Sequence, residues 1–468
     1  MIRPLLLLLL LAAGLAADIL EEAKAFTEQI RHDTTLLCGL RRYGVEDIET
    51  LARAAAENPD LGPELEKLLD QSRRRYRHDR LYGCMDPEAL YPGAVGIDRK
   101  EINSTVSENL LVRRLEKALH RYEALEKAGG WSPIHARFTL LEPGQSDIAV
   151  AALKARLAVT GDYNGSCDAN LTYGGTVVEA VKIFQGRHGL KVDGVVGPQT
   201  LHALNLPVSA KIERLKINIE RARWLAAPAK DFLAVNIPDF SLTLYCDEKP
   251  ALHMKCIVGR KRRATPMLSD TLTYAVLNPY WRAPETIVSE DILPKLKAGR
   301  YEVLKRKGIV AVRGGDGNET VDFAKIDWRQ YDAKHIPFIF MQKPGRYNYL
   351  GLVKFMFPND FDVYLHDTPH DELFSRRIRT FSSGCIRVEK PIELFHALAN
   401  PGKTEPWSYK TIVRTFMNGK ERLVGFTKPV PVFLLYMTAF VDDEGRVAFR
   451  PDIYGYDLRM RSFLNQYK

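Results

Sequence analysis

The chain has 468 residues, room for about three domains at roughly 150 residues each. Hydrophobic residues make up 46% and charged residues 27%, a globular balance that excludes a fibre, a disordered chain or a bundle of membrane spans. The net charge of +9 is spread along the sequence, so it favours an anionic partner without building a nucleic-acid arm.

Residues 1–17 read as a secretory signal: basic Arg3, an unbroken leucine run from Leu5 to Leu11, then small residues ending at Ala16-Ala17. The run is well short of the ~20 apolar residues a bilayer span needs, and acidic Asp18, Glu21 and Glu22 follow at once. An uncleaved anchor is the competing reading. No later stretch is long and apolar enough to span, so an exported, soluble mature chain is expected. Leu36-Leu37-Cys38-Gly39 imitates a lipoprotein site but lies too far past the leucines. The six cysteines, at 38, 84, 167, 246, 256 and 385, show neither C-x-x-C spacing nor a Cys/His grid for zinc, and no cofactor or metal is expected. Cys38 and Cys84 are a candidate bridge. Cys246 and Cys256 fall in β-like runs and are expected as small buried hydrophobes.

From 18 to 133 the pattern is helical, with Leu65, Leu68, Leu69 and then Leu111, Leu115, Leu119 and Tyr122 at helical steps. Arg73-Arg74-Arg75-Tyr76-Arg77 fits a solvated helix face better than a nucleic-acid patch. Gly129-Gly130-Trp131-Ser132-Pro133 breaks the run. Residues 134–206 form a small helical unit, with Val150, Leu153 and Leu157 on one helix and Val177 to Phe184 on a second. The glycine-punctuated loop Gly189 to Pro198 then leads into a third at Thr200, Leu201 and Leu204. With Phe184-Gln185, this resembles the three-helix peptidoglycan-binding domain of cell-wall enzymes. The polar insertion Asn164 to Asn170 has no assigned role. A linker helix, Ile212 to Leu225, falls within 207–230.

The period changes to two at Phe232: Val235, Ile237, Leu242, Leu244, Met254, Ile257 and Val258 alternate between turn signals, predicting an antiparallel sheet within 231–427. An inserted flap is expected at about 285–342, with a charged helix over Leu293–Leu304 and a glycine turn at Gly314-Gly315. The tail, 428–468, reads as strands at Val432–Phe440 and Val447–Phe449 that pack on the catalytic or scaffold region. The chain as a whole is predicted to be a multidomain α+β protein with a β-rich catalytic domain.

Chemistry concentrates between Tyr364 and Pro391. Cys385 is the candidate nucleophile, and a thiol attacks only as thiolate, so it needs a base or cation beside it. His366 is the candidate base. Gly384 permits a tight turn that aims backbone amides of Gly384 and Cys385 at a carbonyl oxygen. Arg387, two residues beyond Cys385 on a strand, shares its face and suits a carboxylate. Each residue alone would ordinarily be structural; their order and spacing carry the signal.

His366, Ser383-Gly384-Cys385 and Arg387 resemble the catalytic signature of L,D-transpeptidases of the YkuD type. Val235-Asn236-Ile237-Pro238, Arg263 to Met267, Asn278-Pro279-Tyr280-Trp281, Leu350 to Phe355, Pro358-Asn359 and Arg450 to Gly455 are similar to segments of the large YcbB-type branch. Most of the family has His before the Gly-Cys pair; this chain has Ser383, as that branch does. Residues 18–109 resemble no named family. The resemblance implies attack by Cys385 on the diaminopimelate–D-alanine bond of a tetrapeptide stem, a thioester, and transfer to a second diaminopimelate amine as a 3→3 cross-link. It implies His366 as general acid/base with the Asp367 carbonyl as orienter, Tyr364 as an oxyanion helper, and Trp281, Tyr349, Ser383 and Arg387 on the substrate. Peptidoglycan stems are the expected partners, donor and acceptor, with other wall-synthesis enzymes as further candidates and no nucleic acid. A Gram-negative periplasmic location and acylation of Cys385 by carbapenems are implied too.

Three readings compete. Water could replace the amine, giving an L,D-carboxypeptidase. His366 and His370, four apart, could share a metal on a helix, but Pro369 between them opposes that helix. A decayed, wall-binding scaffold is the non-enzymatic class. Papain-like and NlpC-type enzymes place Cys before His, the reverse of this chain, and sortases place His much farther upstream.

Overall fold

A computed structural model describes residues 2–97, 110–225, 230–313, 319–345, 347–402, 406–442 and 444–465, with backbone alone for 2–16 and 465. The side chains of the Leu5–Leu11 run and the Gly314-Gly315 turn lie outside the described residues. Contacts divide the chain into two units, 1–228 with 436–468, and 229–435.

The first unit begins with α1 (Ile2–His32), α2 (Val45–Glu57) and α3 (Gly62–Tyr82). They close over Phe26, Ile30, Ile48, Leu65 and Leu69, the side chains that the helical spacing puts on one face. Cys38 and Cys84 are bonded, with Cα atoms 6.2 Å apart. The arginine run on α3 is laced to neighbouring acids and carbonyls: Arg73 to Glu22, Arg74 to Asp70, Arg75 to the Arg42 carbonyl. After α4 (Leu110–Lys127) come α5 (Ala149–Val159), α6 (Gly175–Arg187) and α7 (Pro198–Asn205). The last three share a core of Val150, Leu153, Leu157, Val181, Phe184 and Leu204. Gln185 explains the glycine loop: its Oε1 accepts from the amides of Asp193 (3.1 Å) and Gly194 (2.9 Å) and its Nε2 donates to the Val195 carbonyl (3.0 Å). Gly194 takes φ +71°, open to glycine at no steric cost. The 164–170 insertion is anchored by buried Lys154, which donates to Asp168 (2.7 Å) and the Asn170 carbonyl (2.6 Å). The linker helix is longer than expected, α8 (Val208–Arg223).

The second unit is a closed sheet. Its strands are β1 (Phe232–Asn236), β2 (Ser241–Cys246), β3 (Lys249–Gly259) and β4 (Met267–Leu277), then, past the insert, β9 (Val353–Met356), β10 (Leu365–His366), β11 (Thr380–Ser382), β12 (Ile386–Val388) and β13 (Arg422–Leu435). The order β4-β9-β10-β12-β3-β2-β1-β13 returns to β4, and β11 adds to β3. Closure leaves no free edge on that path. Leu233, Val235, Leu242, Met254, Leu277, Val353, Leu365 and Val432 share its inner face and are buried. Two helices, α9 (Pro391–Ala399) and α10 (Tyr409–Met417), follow β12.

The insert carries a separate sheet of β5 (Trp281–Arg282), β6 (Val310–Arg313), β7 (Glu319–Val321) and β8 (Phe338–Gln342), ordered β5-β8-β6-β7. Its own core includes Trp328, Phe323, Phe340 and Leu296. The helix expected over Leu293–Leu304 is two pieces, Leu293–Lys297 and Tyr301–Arg306, because Gly299 at φ +69° ends the first. Cys246 is a correction too: it is exposed, whereas Cys256 is fully buried. Cys246 ends β2 where Asp247 and Glu248, both at positive φ, turn the hairpin, so alternation no longer carries it inward.

The tail differs from one continuous strand over Val432–Phe440. β13 stops at Leu435, and β14 (Ala439–Val441) pairs with β15 (Val447–Phe449) in the first unit, followed by α11 (Tyr456–Asn465). The Thr438 amide donates to Asn218 (2.9 Å), and Arg221 pairs with Asp457 at 2.5 Å, both buried. Among the described residues no helix is long and apolar enough to cross a membrane.

Candidate active site

A cleft of about 520 Å³ opens in the second unit. Tyr364, His366, Ser382, Ser383, Cys385 and Arg387 line one part, and insert residues including Ile287, Asp291, Lys295 and Lys307 line another. Sheet register assembles the first group. β10 and β12 run parallel with His366 opposite Arg387, and the Ile386 amide donates to the Tyr364 carbonyl (3.0 Å), which sets Tyr364 beside Cys385. Period-two alternation then brings Tyr364, His366, Cys385 and Arg387 to one face.

The loop holding Cys385 is pinned from two sides. Gly384 takes φ +120°, a conformation that side chains rarely adopt. Its carbonyl accepts from the buried Thr265 hydroxyl (2.7 Å), which itself accepts from the Gly259 amide (2.8 Å). The Ser383 hydroxyl is held by Arg263 (2.9 Å), and Arg263 also grips Asp291 (2.9 Å) and Glu290 of the insert. The Gly384 amide donates to the Ser382 hydroxyl (3.2 Å), so that donor is already engaged within the loop.

His366 is buried, and its Nδ1 lies 2.5 Å from the Asp367 carbonyl. A carbonyl only accepts, so Nδ1 carries the proton and Nε2 is left as the basic nitrogen. The Asp367 carboxylate accepts from the amides of Leu352 (2.8 Å) and Thr368 (2.7 Å). Gly351, at φ +59°, makes room for it: a Cβ there would fall 2.3 Å from that carboxyl group. Burial, with Arg387 and then Lys354 adding charge repulsion, pushes the imidazole down to about 3. Burial raises the Asp367 carboxyl to about 6.

Cys385 is half-buried on the cleft wall. Its Sγ lies 3.7 Å from the Asp362 carbonyl, and the Tyr364 amide and phenol face it. Burial raises the thiol, opposed in turn by the Tyr364 amide, Lys354, the Tyr364 hydroxyl and Arg387. No direct hydrogen bond joins Cys385 to the His366 ring among the described residues; the two share the cleft, with the Tyr364 ring 5.7 Å from the imidazole. Burial thus favours the neutral form of both the thiol and the imidazole.

Arg387 lines the cleft with its Nε unpartnered among the described residues. Trp281 and Tyr349 meet edge to face at 4.9 Å and line the same cleft, although Trp281 is mostly packed into the insert core. His370 opens a short turn, Asp371–Ser375, rather than sharing a helix with His366. Sequence reasoning missed Thr265, Arg263 and Lys354. All three fall inside quoted family-like segments, but a hydroxyl or cation gains meaning only once the loop it touches is placed.

Residues 230–427 match the family model for the YkuD L,D-transpeptidase catalytic domain. This stretch is similar to that catalytic domain. Residues 146–204 match a second model, "Putative peptidoglycan binding domain". A curated relative from Haemophilus influenzae, described as "Putative L,D-transpeptidase", is 36% identical over 248 residues, 52% of this chain. The match spans 48% of that relative, about half its length. Among solved structures, an L,D-transpeptidase from Xylanimonas cellulosilytica is 16% identical, covering 64% of this chain and 99% of that one at a TM-score of 0.20. One from Mycobacterium smegmatis is 12% identical, covering 44% and 58% at 0.21. Likeness at this level says nothing of the site.

Proposed function

We propose that the chain is an exported peptidoglycan L,D-transpeptidase using Cys385 as nucleophile. The observation that carries this is one cleft holding the Cys385 thiol and a buried His366 whose Nδ1–H is fixed on the Asp367 carbonyl. His366 Nε2 takes the Sγ proton as sulfur attacks the carbonyl between diaminopimelate and the terminal D-alanine. The C–N bond then breaks, His366 returns the proton to the leaving amine, and D-alanine departs from a thioester. A second stem's neutral diaminopimelate amine attacks that thioester, losing a proton to His366, and the thiol is regenerated. The Cys385 amide and the Tyr364 hydroxyl are the proposed donors to the oxyanion. Arg387, with its unpartnered Nε, receives a stem carboxylate, while Ser383, Trp281 and Tyr349 bound the groove. A strained carbapenem carbonyl would acylate the same thiol.

The peptidoglycan-binding match supports a wall substrate, and wall chemistry belongs outside the cytoplasm. The Cys38–Cys84 bond suits an oxidising compartment, and with the signal-like residues 1–17 supports export to a periplasm. Incubation with tetrapeptide muropeptides followed by mass spectrometry tests the reaction. Diaminopimelate-to-diaminopimelate dimers should form and disappear with Cys385→Ala. Tripeptides accumulating without dimers would instead establish a carboxypeptidase, and unchanged dimers in the variant would remove Cys385 from the reaction.

A further inference from the structure

Lys354 stands one strand away from the nucleophile. It lies on β9, with its Cα opposite His366 of β10. Its ammonium sits 3.8 Å from the centroid of the Tyr364 ring, and Tyr364 is the residue whose amide and phenol face the Cys385 sulfur. A half-buried lysine ordinarily finds a carboxylate; among the described residues the Lys354 ammonium makes no ion pair or hydrogen bond, only the ring contact. An aromatic face is a weak seat for a cation, so this charge is held near the thiol rather than neutralised.

We propose that Lys354 is a positioning residue for the nucleophile: its ammonium, seated on Tyr364, supplies the standing countercharge of the Cys385 thiolate and, with Arg387, keeps His366 neutral and able to take a proton. The usual alternative, a resting imidazolium as countercharge, is disfavoured here, because a buried ring beside two cations holds a proton only in passing, during the transfer itself. The remaining charges around the pair are accounted for. Burial lowers the ammonium, Cys385, Asp362 and Glu421 favour it, and Arg282 opposes it; Arg260 also lines the cleft. The insert adds Glu285, Asp291, Lys295 and Lys307 to the cleft. This inference rests on Cys385 being the nucleophile, but its test reads protonation and not turnover.

Iodoacetamide alkylation of the full-length protein is followed against pH on the Cys385 peptide by mass spectrometry, with the exposed Cys167 and Cys246 as internal references. Lys354→Met and Lys354→Gln should move the Cys385 profile upward by about one pH unit, a roughly ten-fold slower reaction at neutral pH. Lys354→Arg should restore the wild-type profile, and His366→Gln should leave it in place. Profiles of the Met and Gln variants superimposed on wild type, or an upward move in His366→Gln as large as theirs, would overturn the proposal. If neither neutral variant folds, the wild type decides it. Carboxamidomethylation of Cys385 should lower the titration of Lys354 seen by lysine nitrogen NMR, since coupling between two sites is reciprocal, and no change refutes the pairing. Failure to make dimers alongside a Lys354-dependent thiol profile would sink the transpeptidase reading and leave this one standing.

Discussion

The Nδ1–H of His366 bonded to its neighbour's carbonyl fixes the tautomer without a carboxylate, and burial keeps the ring uncharged. This has a consequence for acid stability. Between about 3 and 6.5 the unfolded chain binds a proton that the folded ring refuses, so this group's contribution is full above 6.5 and is lost as pH falls. Asp367 acts oppositely: raised to about 6, it binds a proton in the folded state that the unfolded chain has released, so its contribution falls as pH rises from 3.8 to about 6. Denaturant midpoints for wild type and His366→Gln should therefore diverge between pH 6.5 and 4. The wild type should lose up to about 3 kcal/mol more than the variant over that range. Parallel curves would mean that the ring is solvated. Thr265 gives a second residue-level expectation. Thr265→Val would remove the hydroxyl that donates to the Gly384 carbonyl and accepts from the Gly259 amide in a buried loop, at about 1–3 kcal/mol. A lower melting temperature should accompany at least a ten-fold loss of turnover, and an unchanged kcat would show that Thr265 does not hold the nucleophile loop.

At the scale of elements, the β-rich segment was legible in the sequence because its strands alternate: Val235, Leu242, Leu244 and Met254 share one buried face. The closing of the sheet by β13 against both β1 and β4 was not, since Val424 to Leu435 reads as any strand until its partners are known. The insert was legible as a change of period but not as a sheet, because β5 and β7 are too short to show alternation. Within the site, Cys385, His366 and Arg387 stood out by order and spacing. The nearness of Tyr364 to the thiol depends on parallel register, which local sequence does not encode. The insert walls the cleft, and Arg263 ties its Glu290 and Asp291 to Ser383. Replacing 285–342 by a short glycine linker should therefore change both turnover and stem preference in the muropeptide reaction. A variant matching wild type in both would confine the insert to a structural role.

For the molecule as a whole, the helical first unit was readable from leucine spacing and the glycine-loop segment from its turn residues, whereas the return of the tail to that unit was not. Strand-like residues near 440 look the same whichever body receives them. The receiving groups, Asn218 and Arg221 of α8, are more than two hundred positions earlier in the chain. The Cys38–Cys84 bond is another long-range feature that spacing suggested only as a candidate. It closes a 46-residue interval and fastens the first helices to the segment after α3.

The tail hairpin gives the molecule an unusual order of assembly. The last thirty-odd residues belong to the body whose other parts are synthesised first, with the entire catalytic sheet emerging in between. The front body therefore waits for residues 436–468, which bring the Thr438 and Asp457 partners of Asn218 and Arg221. A premature stop after Leu435 would spare the strands that form the catalytic unit and cripple the opposite end of the polypeptide.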